Sequence, residues 1–296
     1  MKTQQIVALV TGASSGIGRA TATELARRGA AVLLVGRNQA ALAAATSAIA
    51  AEIGGHADRL AYCVADLTSA SDRAELCAHA VHWRGTGVNT LINSAGAGDF
   101  GLFDQVTDAE LERRFAINVL APMQLCRELL PHLHRQAGAA ILNVGSVFGS
   151  IGYPGFTAYS ATKFAVHGFT QALRRELLDT AVRVHYLAPR ATRTSMNTAA
   201  VERMNAELKV AMDTPQSVAI AACDMLQDNR REAVLGWPEK LFVRINALLP
   251  RVVDDSLSRQ LPTIRRYARE AALPRGFATS DSPAAPLNPT EQRTWS

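Results

Sequence analysis

The chain has 296 residues, of which 48% are hydrophobic and 19% charged, so it can bury a large core without disulfide or metal staples. Its formal net charge of +5 comes without a nucleic-acid recognition motif and predicts only nonspecific attraction to nucleic acid. The four cysteines lack Cys-x-x-Cys spacing, which argues against a disulfide scaffold or a zinc site and favours buried thiols in a reducing compartment.

The first core strand follows directly on Met1-Lys2-Thr3, which leaves no room for a removable signal peptide. No apolar run in the sequence approaches the length of a transmembrane helix. We therefore expect a cytoplasmic protein.

Short apolar runs rich in β-branched residues alternate with helical patterns along most of the chain. This alternation predicts an α/β fold, a doubly wound parallel sheet with helices on both faces. Strands are predicted at 6–10, 31–35, 60–64, 89–92, 139–144 and 182–187, with a weaker seventh at 232–235. Helices are predicted at 19–28, 39–52, 69–82, 107–135 and 157–179, and two more within 197–228.

A glycine-rich turn follows the first predicted strand, at 11–18. In a strand–turn–helix unit, glycines allow a tight turn and a close approach of the backbone, and the helix N-terminus offers unpaired N–H groups to a phosphate. The turn is therefore a candidate cofactor-binding element. Its predicted contact residues are Gly12, Ser14, Ser15, Gly16, Ile17 and Gly18.

Tyr159 and Lys163 lie four residues apart on a predicted helix, so their side chains share one face. A fixed ammonium near a phenol favours the phenolate and brings an acid–base tyrosine closer to its working range. Ser146, which precedes the pair in sequence, could hold a substrate oxygen. Taken alone, the pair is more often a chance surface contact.

The full set of motifs resembles the short-chain dehydrogenase/reductase family. The glycine turn has that family's Thr-Gly-x-x-x-Gly-x-Gly pattern, and the other markers occur in its order and at its spacing between residues 6 and 194. These markers are Asp66-Leu67, Asn93-Ser94-Ala95-Gly96, Asn118, Ser146, Tyr159 and Lys163. The resemblance implies one Rossmann-like catalytic and cofactor-binding domain, here 1–236, that interconverts a carbonyl and an alcohol.

The resemblance also implies roles for individual residues. Tyr159 would exchange a proton with the substrate oxygen, Ser146 would hydrogen-bond that oxygen, and Lys163 would hold the cofactor ribose and lower the pKa of Tyr159. Asn118, at an interior helix position, would help to anchor a water chain to Lys163. Contacts to the cofactor are also implied for Asp66, Leu67, Asn93, Ala95 and Gly96.

The second predicted strand ends in Val35-Gly36-Arg37-Asn38, without the carboxylate that usually accepts from the ribose hydroxyls of NAD. Arg37 instead offers a guanidinium that suits a 2′-phosphate. This turn predicts NADP(H) as the cofactor, with Arg37 and Asn38 among its contacts.

The loop after the sixth strand departs from the family pattern, because Arg190 stands where a glycine is usual. Pro189, Thr192 and Thr194 are still predicted to contact the cofactor, Thr194 at the nicotinamide carboxamide. Arg190 fits if its φ is negative, and the added cations of this loop could face the cofactor phosphates or an acidic substrate.

Apolar loops at the carboxyl ends of the strands predict a mainly apolar small-molecule substrate. The candidate substrate residues are Phe100, Phe148, Tyr153 and Phe156, although each could equally be ordinary loop packing.

Beyond the seventh strand, residues 237–273 predict an amphipathic helical extension, and the proline-containing segment 274–296 predicts a mobile tail. An apolar stripe begins at Leu241 and continues past Pro250 to Ile264, with basic residues at its edges. Such a segment can cover the core, close the pocket or form a subunit interface. It can also make peripheral membrane contact, here through 238–266 at the inner face of a membrane.

The sequence thus predicts an NADP(H)-dependent oxidoreductase that reduces a mainly apolar ketone or aldehyde. Two alternatives stay open: a cofactor-binding regulatory or scaffold protein, and an enzyme of the same fold that catalyses epimerisation or dehydration. The resemblance further implies a homodimer or homotetramer that assembles through 107–135 and 157–179.

Overall fold

The computed structural model describes residues 2–272 and forms one seven-stranded sheet in the order β3-β2-β1-β4-β5-β6-β7. All neighbouring strands pair in parallel. The predicted α/β fold is confirmed, and each predicted strand is present within one or two residues. The strands are β1 (Val7–Thr11), β2 (Ala31–Gly36), β3 (Leu60–Val64), β4 (Thr90–Asn93), β5 (Ala139–Val144), β6 (Val182–Ala188) and β7 (Glu232–Val234).

Helices cover both faces of this sheet, which is why the central strands read as continuous apolar runs. Every residue of β5 is buried, and β1 and β2 are buried over most of their length. The helices up to β7 are α1 (Gly16–Arg27), α2 (Gln39–Glu52), α3 (Ala70–Ala80), α4 (Asp108–Phe115), α5 (Ala121–Leu133), α6 (Thr157–Glu176), α7 (Ala199–Glu207) and α8 (Pro215–Gln227).

The prediction of one continuous helix at 107–135 is wrong, because a π-helical turn, Ala116–Leu120, separates α4 from α5. The Ala121 N–H donates to the Ala116 carbonyl, five residues back. Pro122 follows and has no N–H of its own to continue an α-helical pattern. The wide turn directs Asn118 into the protein, where it is buried.

After β7 the chain forms α9 (Glu239–Leu248) and α10 (Pro250–Ala272). The predicted apolar stripe therefore spans two helices, and the break falls where Pro250 opens the second one. The inner side of the pair packs on the rest of the protein: Phe242 and Ile245 join the cluster of Val147 and Ile151. The division of the chain at 236/237 remains a prediction, and the predicted tail, 274–296, lies outside the described residues.

Candidate active site

The glycine turn lies at the carboxyl end of β1, where the order of the strands reverses between β1 and β4. Gly12 has a φ of +67°, and a Cβ there would lie 2.9 Å from the Ala95 Cα. A Cβ on Gly18 would lie 2.4 Å from the Gly12 carbonyl oxygen. Only glycine fits these two positions, so the turn after β1 and the turn after β4 approach each other backbone to backbone.

Thr11 ties the two turns together, because its Oγ1 accepts from the N–H groups of Ser94 and Ala95, each at 3.0 Å. Helix α1 then begins at Gly16, and the N-cap Ser15 makes no side-chain cap hydrogen bond. The first N–H groups of α1 are thus not satisfied by their own cap, at the switch point where such sheets bind dinucleotides. The residues present fit a nicotinamide dinucleotide there.

Arg37 is exposed at the end of β2, near the turn that carries Asp66. Burial tends to raise the pKa of Asp66, but hydrogen bonds from Thr68 and the charge of Arg37 outweigh it and lower that pKa. The neighbouring Asn38 caps helix α2, since its Oδ1 accepts from the Ala41 N–H at 2.9 Å. The structure thus gives Asn38 a helix-capping contact in addition to its predicted place beside the cofactor.

Two of the predicted cofactor residues lie with their side chains in the core. Leu67 is buried in the cluster between the sheet and its helices. Asn93 is buried and donates to the Asn143 Oδ1 at 2.9 Å and to the Cys126 Sγ at 3.4 Å. Their side chains are therefore turned into the core, which residue identities alone do not reveal.

Asn118 makes three hydrogen bonds. Its Oδ1 accepts from the Ala97 N–H at 2.8 Å, and its Nδ2 donates to the Ala97 carbonyl at 2.9 Å and to the Thr162 Oγ1 at 3.1 Å. A Cβ on Gly96 would lie 3.1 Å from the Asn118 Oδ1. Asn118 therefore connects the turn after β4 to helix α6.

Ser146, Tyr159 and Lys163 meet where β5 ends and α6 begins. The Ser146 hydroxyl accepts from the Phe148 N–H at 3.1 Å and lies within hydrogen-bonding reach of the Tyr159 phenol. Lys163 is buried, and its Nζ donates to the Val144 carbonyl at 3.0 Å and lies 5.6 Å from the centre of the Tyr159 ring. The three predicted side chains thus form one cluster.

The expected lowering of the Tyr159 pKa by Lys163 is not what this structure shows. Burial raises the pKa of Tyr159 to about 12, a hydrogen bond with Ser146 opposes the rise, and the charge of Asp99 adds to it. Burial also lowers the pKa of Lys163 to about 8. Burial therefore has the larger effect on the pKa of Tyr159 in this structure.

The four predicted substrate residues form one aromatic cluster beside Tyr159. Phe148 stacks on Tyr153 at 4.8 Å and lies 6.4 Å from the Tyr159 ring, while Phe100 lies 5.1 Å from Phe156. Helix α10 covers this cluster: the Tyr153 hydroxyl donates to the Gln260 Oε1 at 2.9 Å. The two helices after β7 therefore lie against the apolar side of the site.

The loop after β6 lies across from the glycine turn. Pro189 and Thr192 are buried, and the Pro189 carbonyl accepts from the Val147 N–H at 2.9 Å. The Thr194 methyl would lie 3.4 Å from a Cβ on Gly16. Ser15, Gly16, Arg193 and Thr194 contribute to a cavity of about 470 Å³ that extends between α1 and α8.

Arg190 does not face the cofactor side. Its guanidinium donates to the Asp213 Oδ1 at 2.8 and 3.0 Å, to the Trp237 carbonyl at 3.2 Å and to the Glu239 Oε2 at 3.4 Å. Its φ is not positive, so an arginine is tolerated where the family has glycine. The expectation that the added cations of this loop face a phosphate or an acidic substrate is wrong for Arg190, because Asp213, just before α8, and Glu239, at the start of α9, bind its guanidinium.

Sequence reasoning missed Asp99, whose carboxylate lies 3.1 Å from the Arg114 Nε and close enough to Tyr159 to raise its pKa. Burial also raises the pKa of Asp99 itself, while Arg114 opposes this. The pair joins the loop after β4 to α4, which lie far enough apart in sequence that no motif spacing indicates it.

A second missed group supports the turn that carries Ser146. The Tyr186 hydroxyl donates to the Ser146 carbonyl at 3.3 Å, and the His167 ring stacks on Tyr186 at 4.2 Å. His167 contacts the Gly149 carbonyl through Nδ1 at 3.2 Å and Glu232 through Nε2 at 2.9 Å. These contacts join α6, β6 and β7 behind the site.

Within residues 2–272, no three His, Cys, Asp or Glu side chains cluster as metal ligands would. In the same range, no helix has both the length and the apolar character that crossing a bilayer requires.

Residues 6–205 match a family model described as short chain dehydrogenase. The uncharacterized oxidoreductase YxnA of Bacillus subtilis is 30% identical over 279 residues, which cover 92% of this chain and 76% of YxnA. The ketoacyl reductase HetN of Nostoc sp. is 31% identical over 253 residues, which cover 83% of this chain and 86% of HetN.

Solved structures show the same architecture. The 3-ketoacyl-(acyl-carrier-protein) reductase from Brucella melitensis, complexed with NADH, has a TM-score of 0.67 at 30% identity and covers 75% of this chain and 91% of its own. A short-chain dehydrogenase from Sphingobium yanoikuyae in complex with NADPH has a TM-score of 0.67 at 28% identity, with coverages of 93% and 99%. The bulky-bulky ketone specific alcohol dehydrogenase from Comamonas testosteroni has a TM-score of 0.68 at 26% identity, with coverages of 94% and 98%.

Proposed function

Because this chain belongs to the short-chain dehydrogenase family and is an oxidoreductase with a nicotinamide cofactor, we propose that it uses NADPH to reduce a mainly apolar ketone or aldehyde. The observation that carries the proposal is the cluster of Ser146, Tyr159 and Lys163, with Tyr159 next to an aromatic cluster that lies against the C-terminal helices.

In this proposal Tyr159 is the proton donor to the substrate oxygen, and Ser146 donates a hydrogen bond to the same oxygen. The nicotinamide, when bound, supplies the hydride that attacks the carbonyl carbon. Burial raises the pKa of Tyr159 to about 12, so the phenol carries the proton that the substrate oxygen receives in this proposal. Lys163 would hold the ribose, and Asn118 would keep the turn after β4 in register with α6.

For the cofactor, we propose that the turn of Gly12, Gly16 and Gly18 and the N-terminus of α1 hold the pyrophosphate. The preference for NADP(H) rests on Arg37, which is exposed at the end of β2, and β2 itself ends without a carboxylate that would repel a 2′-phosphate. The remaining predicted contacts run along the carboxyl edge of the sheet. They are Ser14, Ser15, Ile17, Asn38, Asp66, Leu67, Asn93, Ala95, Gly96, Pro189, Thr192 and Thr194.

For the substrate, we propose a ketone with a long acyl or a bulky aromatic substituent, seated against Phe100, Phe148, Tyr153 and Phe156. The aromatic cluster supplies apolar area beside Tyr159, and α10 contacts the cluster through the hydrogen bond from Tyr153 to Gln260. The names of two similar proteins, a ketoacyl reductase and a bulky ketone-specific alcohol dehydrogenase, support the same class.

We also propose that the protein assembles as a homodimer or homotetramer. Phe115, Leu120, Met123 and Phe164 are exposed on the face formed by α4, α5 and α6. A face with this many exposed large apolar side chains fits a subunit contact.

The proposal is tested by single-turnover and steady-state oxidation of NADPH and NADH by the full-length protein. The panel holds 3-ketoacyl thioesters, aromatic ketones and steroid ketones. We expect NADPH to be oxidised with at least one of these classes of ketone. NADH should be oxidised more slowly than NADPH with the same ketone. Tight binding of NADPH with no oxidation of NADPH by any carbonyl compound of the panel would contradict the proposal. Conversion of a substrate without net change in NADPH would instead indicate an epimerase or a dehydratase.

A further inference from the structure

The most exposed apolar side chains of the described residues are concentrated at the start of the C-terminal helices. Leu248 is 80% exposed, Trp237 67% and Leu249 61%, the three highest values among the large apolar side chains. Val252 and Leu241, in the same region, are 51% and 45% exposed. We call these five residues, together with Lys240, Arg244 and Arg251, the elbow surface.

Helical geometry explains why these side chains are not part of the core. Leu241 and Leu248 lie seven residues apart in α9 and therefore on one face of that helix. The side of α9 that faces the protein carries Phe242, Val243 and Ile245, which pack against the cluster of Val147 and Ile151. The fold thus covers part of the apolar surface of α9 and leaves Leu241 and Leu248 exposed.

The cations of the elbow surface lie among its apolar residues. Lys240 and Arg244 are four residues apart and share the outer face of α9 with Leu241 and Leu248. Neither they nor Arg251 has a carboxylate within ion-pair distance in the described residues 2–272. Glu239, the nearest acidic residue in α9, is bound to Arg190.

We propose that the elbow surface binds the surface of an anionic lipid bilayer. Exposed Trp and Leu side chains can enter the boundary between headgroups and acyl chains, while the adjacent cations contact anionic headgroups. Asp254 and Asp255 follow on the next turn of α10 and are exposed, so the contact is confined to the junction of α9 and α10. A second copy of the chain is a poorer partner, because an isologous contact would bring Lys240, Arg244 and Arg251 against their own copies.

The position of the elbow surface gives this contact a consequence for the site. The inner face of α9 touches Val147 and Ile151, and Asn246 donates to the Ser150 carbonyl at 2.9 Å, one turn from Ser146. A bilayer held at the outer face would bring its apolar interior close to the aromatic cluster. If the proposed function is correct, an apolar ketone could then reach the site from the lipid. Binding of the elbow surface to lipid does not itself depend on the proposed reaction.

The test is sedimentation of the full-length protein with vesicles of phosphatidylcholine alone and of phosphatidylcholine with phosphatidylglycerol, at low and at high salt. A cation near an anionic surface raises affinity about fivefold, so Lys240→Gln/Arg244→Gln should weaken binding about 25-fold at low salt. Leu248→Ser/Leu249→Ser should abolish retention. One matched control is Leu178→Ser, at a leucine that is 57% exposed and lies two residues beyond the end of α6. The other is Arg135→Gln/Arg175→Gln, which removes two exposed cations elsewhere.

Trp237 supplies a second readout that needs no separation step. Its fluorescence should shift to the blue with anionic vesicles, and Trp237→Phe should remove that shift. Equal retention by both vesicle types, no retention by either, or equal loss in the control variants would overturn the proposal. A concentration-dependent dimer that Leu248→Ser/Leu249→Ser dissociates, without vesicle binding, would assign the elbow surface to a contact between copies instead. None of these measurements uses a carbonyl substrate. A negative result for lipid binding therefore does not contradict the proposed reaction, and a negative result for the reaction does not contradict lipid binding.

Discussion

The parallel sheet and the C-terminal helices use their apolar residues in different ways. In the sheet, helices cover both faces, and all residues of β5 are buried. In α9 no residue is fully buried, and one side packs on the protein while the other exposes Leu241 and Leu248. The chain itself covers the apolar residues of the sheet on both faces. It covers those of the helix pair on one side only.

In the proposed function, this difference separates the residues that react from those that control access to them. The sheet and α6 hold Ser146, Tyr159 and Lys163 with hydrogen bonds to the backbone and close packing. The helix pair touches the site at its apolar side, through Tyr153 and Gln260, and is anchored by Arg190. Changes in the sheet should therefore affect turnover, and changes in the helix pair should affect affinity for substrate and local stability.

The largest effect is expected for Tyr159→Phe, which removes the proposed proton donor and leaves the ring in place. Positioned acid–base groups contribute about a hundredfold to ten-thousandfold to rate, and turnover should fall by that factor while NADPH affinity, measured by fluorescence titration, stays nearly constant. The matched variant Tyr153→Phe removes only a hydroxyl that binds Gln260 and should raise KM by at most about tenfold. Equal losses of turnover in both variants would remove the distinction between the two regions.

The next effect concerns the cofactor edge of the sheet. Arg37→Asp replaces the proposed contact to the 2′-phosphate by a repelling charge. A hydrogen bond to a charged group contributes about 1.5 to 3 kcal/mol, so NADPH should bind about 10- to 140-fold more weakly. NADH affinity should change little, since it has no phosphate at that position. Parallel weakening of both cofactors would contradict the assignment.

A smaller effect is expected where the two regions join. Arg190→Met removes the hydrogen bonds to Asp213 and Glu239, whose side chains are largely buried, and should lower the free energy of unfolding by about 1 to 2 kcal/mol. The amides of 237–250 should exchange faster in the same variant. Arg203→Met breaks an exposed pair with Glu270 and should cost about 0.5 kcal/mol or less. If denaturant titration gives equal losses, Arg190 is not the anchor of the helix pair.

The smallest effect is a dependence of stability on pH at the His167–Glu232 contact behind Ser146. The hydrogen bond with Glu232 raises the pKa of His167 above its ordinary value near 6.5, and the hydrogen bond with His167 lowers the pKa of Glu232 below 4.5. The stabilisation from His167 is therefore fully present below pH 6.5 and disappears as the pH rises through the raised pKa. That from Glu232 is present above pH 4.5 and disappears as the pH falls through the lowered pKa.

Melting temperatures from pH 5 to pH 9 measure this dependence. The pair should contribute about 0.5 to 1 kcal/mol near pH 6, and less at alkaline pH, because it is only partly buried. His167→Gln should be less stable than the unaltered protein, by a larger margin at pH 6 than at pH 9, because the ring contacts with Tyr186 and Gly149 do not depend on charge. A constant difference across the range would show that the imidazolium has no part in the contact.

Much of this architecture was accessible from local pattern. The strands are apolar runs of β-branched residues, the glycine turn has a spacing that few other structures require, and Tyr159 and Lys163 share a helix face by periodicity alone. The π turn at 116–120 was not accessible, because its cause is a proline combined with the need to bury Asn118. The break between α9 and α10 at Leu249 was also missed, because the apolar stripe continues through it in the sequence.

Pairings that are distant in sequence were also beyond the reach of pattern. Asp99 with Arg114, Arg190 with Asp213 and Glu239, and Tyr186 with Ser146 join elements whose separation has no fixed period. The pKa of Tyr159 shows the same limit. A cation four residues away predicts a lowered value, but burial has the larger effect, and burial depends on everything that packs around the ring.

The sequence by itself determined the family, the parallel sheet and the identities of Ser146, Tyr159 and Lys163, because these depend on short-range spacing and on the apolar character of each strand. Only the tertiary structure decided which side of the C-terminal helices is covered, where Arg190 binds and which helices lie against the site. The physical reason is that burial and ion pairing depend on the distance between elements in space, and an amphipathic helix has the same sequence pattern whether its partner is a protein core or a lipid surface.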